Sequence, residues 1–471
     1  MMQDLICKSD ILIKDVFHKI DKNGHGTCFV VDDQNILVGV ITDGDLRRSL
    51  LDGHDLSSPI KNIINKDYTF ATTDDSANEV VSRLSDEIKI IPIVDQSQQV
   101  VDFTSYNHLP MTPVATPDLY GNELKYLTDA FLSTWISSTG EYINRLENNF
   151  AKYCNTDYST SVCNGTVALE LALKSIGVGP GSEVIIPDLT FAATINAVLH
   201  VGATPVIVDI EENSWGISPN EIEKAITKKT SAIIPVHIYG QPASMDKICA
   251  IGKQYNIPII EDCAEAHGAS FNNIPVGSIG TIGCFSFFAN KIMTTGEGGM
   301  CTTNSKEILD KMTILKNHGM SKEKKYWHEQ PGFNFRLTNI QAALGVAQLE
   351  RIDDMLKIRA DHEEKYKELL NNIDINLSFQ ENIPGRNRVV WLSCALTDSS
   401  EARERLYEKM QAIKIDVRRF FYPLSDMPPY KEFAKNSCPI AKDISTRGIS
   451  FPTFNNNLRI NEITKKIKEY Y

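Results

Sequence analysis

IPIIEDCAEAHGA, residues 257–269, begins with an unbroken apolar run and ends on Glu261, Asp262 and a string of small residues. Consecutive rather than alternating apolar residues mark a strand buried on both faces, and such strands belong to parallel sheets sandwiched between helices. The runs EVIIP (183–187), TPVIVDI (204–210) and SAIIPVHIYG (231–240) repeat the pattern, separated by helical segments such as MDKICAIGKQY (245–255). This alternation predicts an α/β fold, a mostly parallel sheet with helices on both faces. Sites in such sheets form at the carboxyl ends of the strands, where Asp262 lies, and a buried carboxylate there requires a cation or hydrogen bonds.

Downstream, residues 339–370 read as one long helical pattern interrupted only by Gly345. The tail, with RVVWLSCALT (388–397), EARERLYEKMQAI (401–413) and IDVRRFFYPL (415–424), reads as strand, helix, strand, a smaller α+β domain. Upstream, CFVVDDQNILVGVITDGDLRRSL (28–50) is weakly echoed by IPIVDQSQQVVDFTSYNHLP (91–110), each a strand, a turn, a strand and a helix start at Asp43 or Ser105. The proline-containing stretch SYNHLPMTPVATPD (105–118) marks a boundary. The expected organisation is a module over 1–109, a large domain over 110–370 and a small domain over 371–471.

The 471 residues suit two or three domains. A net charge of −12 disfavours nonspecific binding to nucleic acid or an anionic membrane. No apolar run reaches bilayer-spanning length, and the start MMQDLICKSD lacks a secretory pattern, so the expected location is the cytoplasm. The 10 cysteines contain no C-x-x-C pair and read as reduced core thiols. No pair of histidines has metal-ligand spacing, so no metal is expected. His267 and His318, each beside a glycine, read as local hydrogen-bonders.

Chemistry concentrates around FSFFANKIMTTGEGGM (285–300), which places Lys291 between aromatics and small residues. A buried ammonium must escape to solvent, find a carboxylate or lose its charge. CNGTVALELALKSIG (163–177) puts Gly165 and Thr166 at a helix start, a cup for one phosphate. Phe191, in PDLTFAATINAV (187–198), offers a ring for stacking, and GFNFRLTNIQAALG (332–345) offers Asn334 and Arg336 ahead of a helix. With G-x-G-x-x-G and the P-loop both missing, a dinucleotide or nucleoside triphosphate is not expected in that cup. A lysine, a phosphate cup, an aspartate for a pyridinium and a stacking ring are the parts that pyridoxal 5'-phosphate requires.

These runs, together with TWISSTGEYINRLE (134–147), resemble in order the DegT/DnrJ/EryC1/StrS sugar aminotransferases from about residue 113 onward. The resemblance implies the PLP-dependent aminotransferase type I fold, with Lys291 as the Schiff-base lysine, Asp262 beside the pyridine nitrogen and Phe191 as the stacking ring. It implies that Gly165, Thr166 and Ser286 hold the phosphate with Asn334 of a neighbouring subunit, that Glu265 lies near the phenolic oxygen, and that a homodimer is the minimal unit. Residues 326–353 and FYPLSDMPPY (421–430) are most similar to the branch that makes GDP-perosamine. That similarity implies L-glutamate as amino donor and a nucleotide-linked 4-keto-6-deoxy sugar as acceptor, with Arg418 a candidate for its diphosphate. A UDP- or dTDP-linked sugar, or amination at C3, is the alternative.

The first N-terminal copy, with Gly39, Thr42 and Asp45, resembles CBS domains, which implies a paired module with an adenine nucleotide contacted by Thr42 and Asp45. In the second copy Thr104 remains, while Val101 and Asn107 replace the glycine and the aspartate. A regulatory protein sensing a nucleotide through this module, with a degenerate aminotransferase scaffold, is the reading from a different class.

Overall fold

The computed structural model describes residues 2–75, 79–80, 83–85, 88–105, 111–370 and 376–470. The chain divides into two compact units, 1–112 and 113–471. The expected boundary at 109/110 and the helix start after Ser105 fall outside the described residues, as does Asn107. The expected step at 370/371 adjoins residues 371–375, also outside them.

In the first unit, β1 (Ile6–Lys8) runs parallel to β2 (Thr27–Val31), which pairs antiparallel with β3 (Leu37–Thr42). Strands β4 (Ala71–Thr72), β5 (Ile90–Val94) and β6 (Val100–Ser105) repeat that topology. The repeat is physical down to its hairpin turns. The Asp32 carboxylate accepts the N–H groups of Gln34 and Ile36, and the Asp95 carboxylate accepts those of Ser97 and Gln99. Asn35 and Gln98 take the left-handed conformation at equivalent positions, which closes both turns alike. Leu5, Phe29, Leu37, Ile90, Val94 and Phe103 form a core shared by the two copies.

The second unit is built on a sheet whose short strands are mostly apolar and buried. Strands β8 (Glu183–Pro187), β9 (Thr204–Val208) and β10 (Thr230–Ile233) are parallel in the order β9-β8-β10. Isolated parallel bridges, Ile233 to Ile259 and Val236 to Asp262, carry the sheet on to β11 (Ile260–Asp262). After the small hairpin β12 (Ser270–Phe271) and β13 (Ile274–Pro275), the chain adds β14 (Ile282–Ser286) and β15 (Gly299–Thr303). With β7 (Tyr158–Val162) they complete the order β11-β14-β15-β7, in which β15 alone is antiparallel to its neighbours. The parallel β8, β10, β11 and β14 therefore end on one side of the sheet, which is where the site forms.

The tail forms an antiparallel sheet of β16 (Leu377–Phe379), β18 (Ser393–Thr397), β20 (Gly448–Phe451) and β19 (Arg418–Arg419), while β17 (Arg386–Asn387) pairs with β12. Two buried carboxylates at the ends of β8 and β9 pin this part to the large sheet. Asp188 accepts the backbone N–H and hydroxyl of Ser425, and Asp209 accepts the N–H groups of Ile440 and Ala441 at the start of the helix Pro439–Arg447.

Three expectations of extent require correction. The single helix over 339–370 is two helices, Asn339–Leu349 and Ile352–Leu370. The break falls at Glu350 and Arg351 because both side chains are committed elsewhere: Glu350 to Asn122, Tyr126 and Arg145, Arg351 to Asp118 and Glu123. Gly345 lies inside the first helix, where a Cβ would stand 2.9 Å from the Leu146 and Thr295 side chains. The strand read over 388–397 begins only at Ser393, and that over 415–424 is only Arg418–Arg419. Residues 388–392 leave strand geometry to deliver Trp391 to the site described next.

Candidate active site

Above the strand ends lies a cavity of about 560 Å³, a size suited to a small cofactor with part of a substrate. It brings together Gly165, Thr166, Phe191, Asp262, Glu265, Ser286 and Lys291, all of the expected cofactor-binding set except Asn334. One corner is the N-terminus of the helix Gly165–Ser175, capped by the Asn164 side chain, which accepts the Val167 N–H at 3.0 Å. A Cβ on Gly165 would stand 2.7 Å from Ser286 Cβ, so only glycine lets β14 approach this helix end. The free N–H groups of the helix start and the Ser286 hydroxyl thus face one small volume.

Asp262 ends β11 and is buried. Thr194 donates its hydroxyl to Oδ2 at 2.9 Å and the Ala264 N–H reaches Oδ1 at 3.2 Å. Burial pushes its carboxyl above the ordinary range, against the pull of these hydrogen bonds and of the more distant Lys291. No cation lies within ion-pair distance of it among the described residues. The carboxylate is thus held in place and lacks a positive partner.

Lys291 follows a turn closed by its own N–H to the Phe288 carbonyl, with a side chain only 12% exposed. Its Nζ lies 3.7 Å from Glu265 Oε1 and 4.2 Å from the centre of the Trp391 ring. Burial pulls its pKa down, with Glu265 and Asp262 opposing. Glu265 is pushed up to about 7 by burial, against Lys291 and the Tyr239 N–H, which reaches Oε2 at 2.8 Å. Tyr239 adopts a left-handed backbone (φ 53°) to aim that N–H, a strained conformation of the kind that gathers at sites.

A carboxyl titrating near 7 in the fold but at 4.5 when unfolded holds more protons in the native state between those values, so its stabilisation is complete below about pH 4.5 and lost as pH rises through 7. Up to about 3 kcal/mol is at stake. Glu265→Gln keeps the acceptor for Tyr239 and cannot ionise. Urea midpoints of the cofactor-free protein are therefore expected to fall between pH 4.5 and 7 more steeply in the native sequence than in the variant; equal slopes would refute the assignment.

Phe191 is 58% exposed at the cavity wall, its ring 5.7 Å from that of Phe421. Asn334 is exposed, accepts from Arg336 Nε at 2.9 Å and does not line the cavity of its own chain. Arg418 pairs with Asp416 at 2.8 Å and also lies outside the lining, while Arg419 pairs with Glu404 over the Tyr407 ring. Thr194, Tyr239 and Trp391 went unread in the sequence. Trp391 is a hundred residues from Lys291 in a segment that reads as strand.

His237, Glu261 and Cys263 bring ligand-type atoms within 4.8 Å of one another. Their hydrogen bonds already account for them. Glu261 accepts the N–H groups of Gly277, Ile279 and Gly280 as well as His237 Nε2, and His237 Nδ1 accepts from Ala243. This is a pin holding the 277–280 loop under β11.

In the first unit Thr42 and Asp45 form a capping box for the helix Asp43–Leu51. Asp45 accepts both the N–H and the hydroxyl of Thr42 and pairs with Arg48. A Cβ on Gly39 would meet the Asn65 carbonyl at 2.7 Å, so that glycine admits the chain's own backbone. Thr104 is buried.

The chain can be compared with known proteins at this point. The pattern of the DegT/DnrJ/EryC1/StrS aminotransferase family matches residues 117–467, and that of the CBS domain matches residues 1–52. The GDP-perosamine synthase of Escherichia coli O157:H7 is 42% identical over 361 residues, 76% of this chain and 98% of the relative. The GDP-perosamine synthase of Vibrio cholerae is 40% identical over 77% of this chain and 99% of its own. A putative sugar aminotransferase from Streptococcus pneumoniae, solved in a PLP form, superposes with a TM-score of 0.70 at 28% identity, covering 77% of this chain and 98% of that one.

Proposed function

The chain belongs to the DegT/DnrJ/EryC1/StrS aminotransferase family, and on that premise we propose that it moves the amino group of L-glutamate to C4 of a nucleotide-linked 4-keto-6-deoxy sugar. GDP-4-keto-6-deoxy-mannose, giving GDP-perosamine for surface polysaccharide, is the leading pair, supported by the GDP-perosamine synthases at 40% and 42% identity. The observation that carries the reading is the meeting, in one cavity, of a buried amine at Lys291, a carboxylate at Asp262 without a cation, and a helix end that Gly165 opens to Ser286.

Pyridoxal 5'-phosphate fits these residues and supplies an electrophilic aldehyde carbon and an electron-withdrawing pyridinium ring. Asp262, fixed by Thr194 and Ala264, would hold the proton on a ring nitrogen. The N–H groups of the helix beginning at Gly165, with the hydroxyls of Thr166 and Ser286, would hold a phosphate without help from a basic side chain. Phe191 would cover one ring face. Lys291, its pKa drawn down by burial, can be neutral at working pH, so its Nζ can take a proton from the donor's carbon and return it on the other side of the transfer.

Asn334 lies outside its own cavity, which supports its service to a neighbouring copy in a homodimer. The exposed Leu124, Phe131 and Leu132 on the helix Glu123–Leu132, followed by Trp135 and Ile136, give that pairing an apolar surface. No helix among the described residues is long and apolar enough to cross a membrane, and we place the enzyme in the cytoplasm. The first unit is taken as a CBS pair that accepts an adenine nucleotide near Thr42 and Asp45, and Arg418 as a contact for the sugar diphosphate. Residues 110–370 and 371–471 would be the large and small domains.

Incubation with L-glutamate and a panel of GDP-, UDP- and dTDP-linked keto sugars is expected to aminate the GDP-linked 4-keto sugar at least tenfold faster than the others. Preference for another nucleotide would redirect the substrate, and amination of none would overturn the function.

A further inference from the structure

We infer that Trp391 is a positioning residue for Lys291, its indole face being the resting place of the Nζ ammonium each time that amine is released. The inference rests on the pyridoxal phosphate reading of the site. Nζ stands 4.2 Å from the centre of the Trp391 ring, inside the range in which an ammonium is held by an aromatic face.

The two residues flanking Lys291 are tied to the same structure. The Trp391 indole N–H donates to the Asn290 carbonyl at 2.8 Å, and the Asn455 amide donates to the Ile292 carbonyl at 3.0 Å. A fully buried arginine, Arg359, joins these two anchors. Its guanidinium donates from one nitrogen to the Trp391 carbonyl and from another to the Asn455 side-chain oxygen. Burying a guanidinium against amide oxygens alone is costly, and here it fixes both supports of one turn. On its far side Trp391 lies parallel to Tyr239, with interplanar angle 6° and centroids 6.2 Å apart, and Tyr239 in turn holds Glu265.

The charged or titratable groups that bear on Nζ are Glu265 at 3.7 Å, Asp262 farther off and His267, which burial holds neutral with a pKa near 3. An amine that has just taken a proton from the donor's carbon needs a place where that charge is tolerated and from which Nζ can swing back. Glu265 and the Trp391 face supply it from two sides. Trp391 therefore favours the proton-carrying form of Lys291 and limits where it can go.

The test measures Lys291 itself. In the full chain stripped of cofactor, the pH dependence of Lys291 modification by an amine-reactive reagent, read by peptide mapping, is expected to move down by about one pH unit in Trp391→Leu. Trp391→Phe, which keeps a weaker aromatic face and most of the volume, is expected to fall between. In the holoenzyme, kcat is expected to drop about tenfold in the leucine variant with KM for the sugar within twofold. An unchanged midpoint in a folded Trp391→Leu, or in Trp391→Phe should the leucine variant not fold, overturns the inference. A midpoint that moves while the native protein never takes up pyridoxal phosphate would instead defeat the cofactor reading and leave the tryptophan contact standing.

Discussion

Replacing Lys291 with alanine is expected to lower amino transfer by at least about 10⁴-fold and to remove the visible absorbance of lysine-linked pyridoxal phosphate, with the fold intact. Loss of a positioned proton carrier alone costs about 10²–10⁴ in rate, and the covalent link to the cofactor goes with it. The fold survives because Nζ meets only Glu265 and the Trp391 face. Glu265, pushed up to about 7 already, takes a proton when its cation is gone. Lys291→Arg is expected to be equally inactive, since a guanidinium does not give up its proton at neutral pH. Rate, absorbance and thermal midpoint measured together decide the matter: activity within tenfold of the native enzyme would mean that another group carries the proton.

That lysine was legible from its neighbours because a cation between FSFF and TTGEGG contradicts its surroundings, and contradictions of that kind are local. Asp262 was legible for a similar reason, as the charged end of an apolar run. The pleat of the sheet followed from runs such as EVIIP, but its order did not. β11 is three residues long, and its link to β10 is two isolated bridges, so nothing in composition reports which strands are neighbours. Trp391 stayed hidden because its role is set by Asn290, Arg359 and Tyr239, contacts made across 30 to 150 residues of chain. In the first unit the motif residues were visible and their local duties were not. Thr42 and Asp45 close a capping box whether or not a nucleotide arrives.

Asp262→Asn is expected to lower kcat by about 10²–10³ while leaving the cofactor-free protein as stable as the native one, or more so. The substitution is nearly isosteric, and a carboxamide can keep one of the two hydrogen bonds, from the Thr194 hydroxyl or the Ala264 N–H. It also removes a charge that burial disfavours in the empty cavity, where no cation pairs with it. The penalty therefore falls only on the loaded enzyme. Once a protonated ring nitrogen sits against residue 262, losing the partner charge costs about 3–5 kcal/mol, the usual consequence of breaking a buried ion pair. Converted through the rate equation that range begins near 10². Asp262→Glu restores the charge on a longer arm within a site that Thr194 has already sized, and is expected to recover only part of the loss. The two readouts separate the causes. A fall in kcat with an unchanged or raised urea midpoint in the cofactor-free protein marks an electrostatic partner of the cofactor. A parallel fall in both would make Asp262 a structural carboxylate, and a kcat within fivefold of native would mean that the ring nitrogen gets its proton elsewhere.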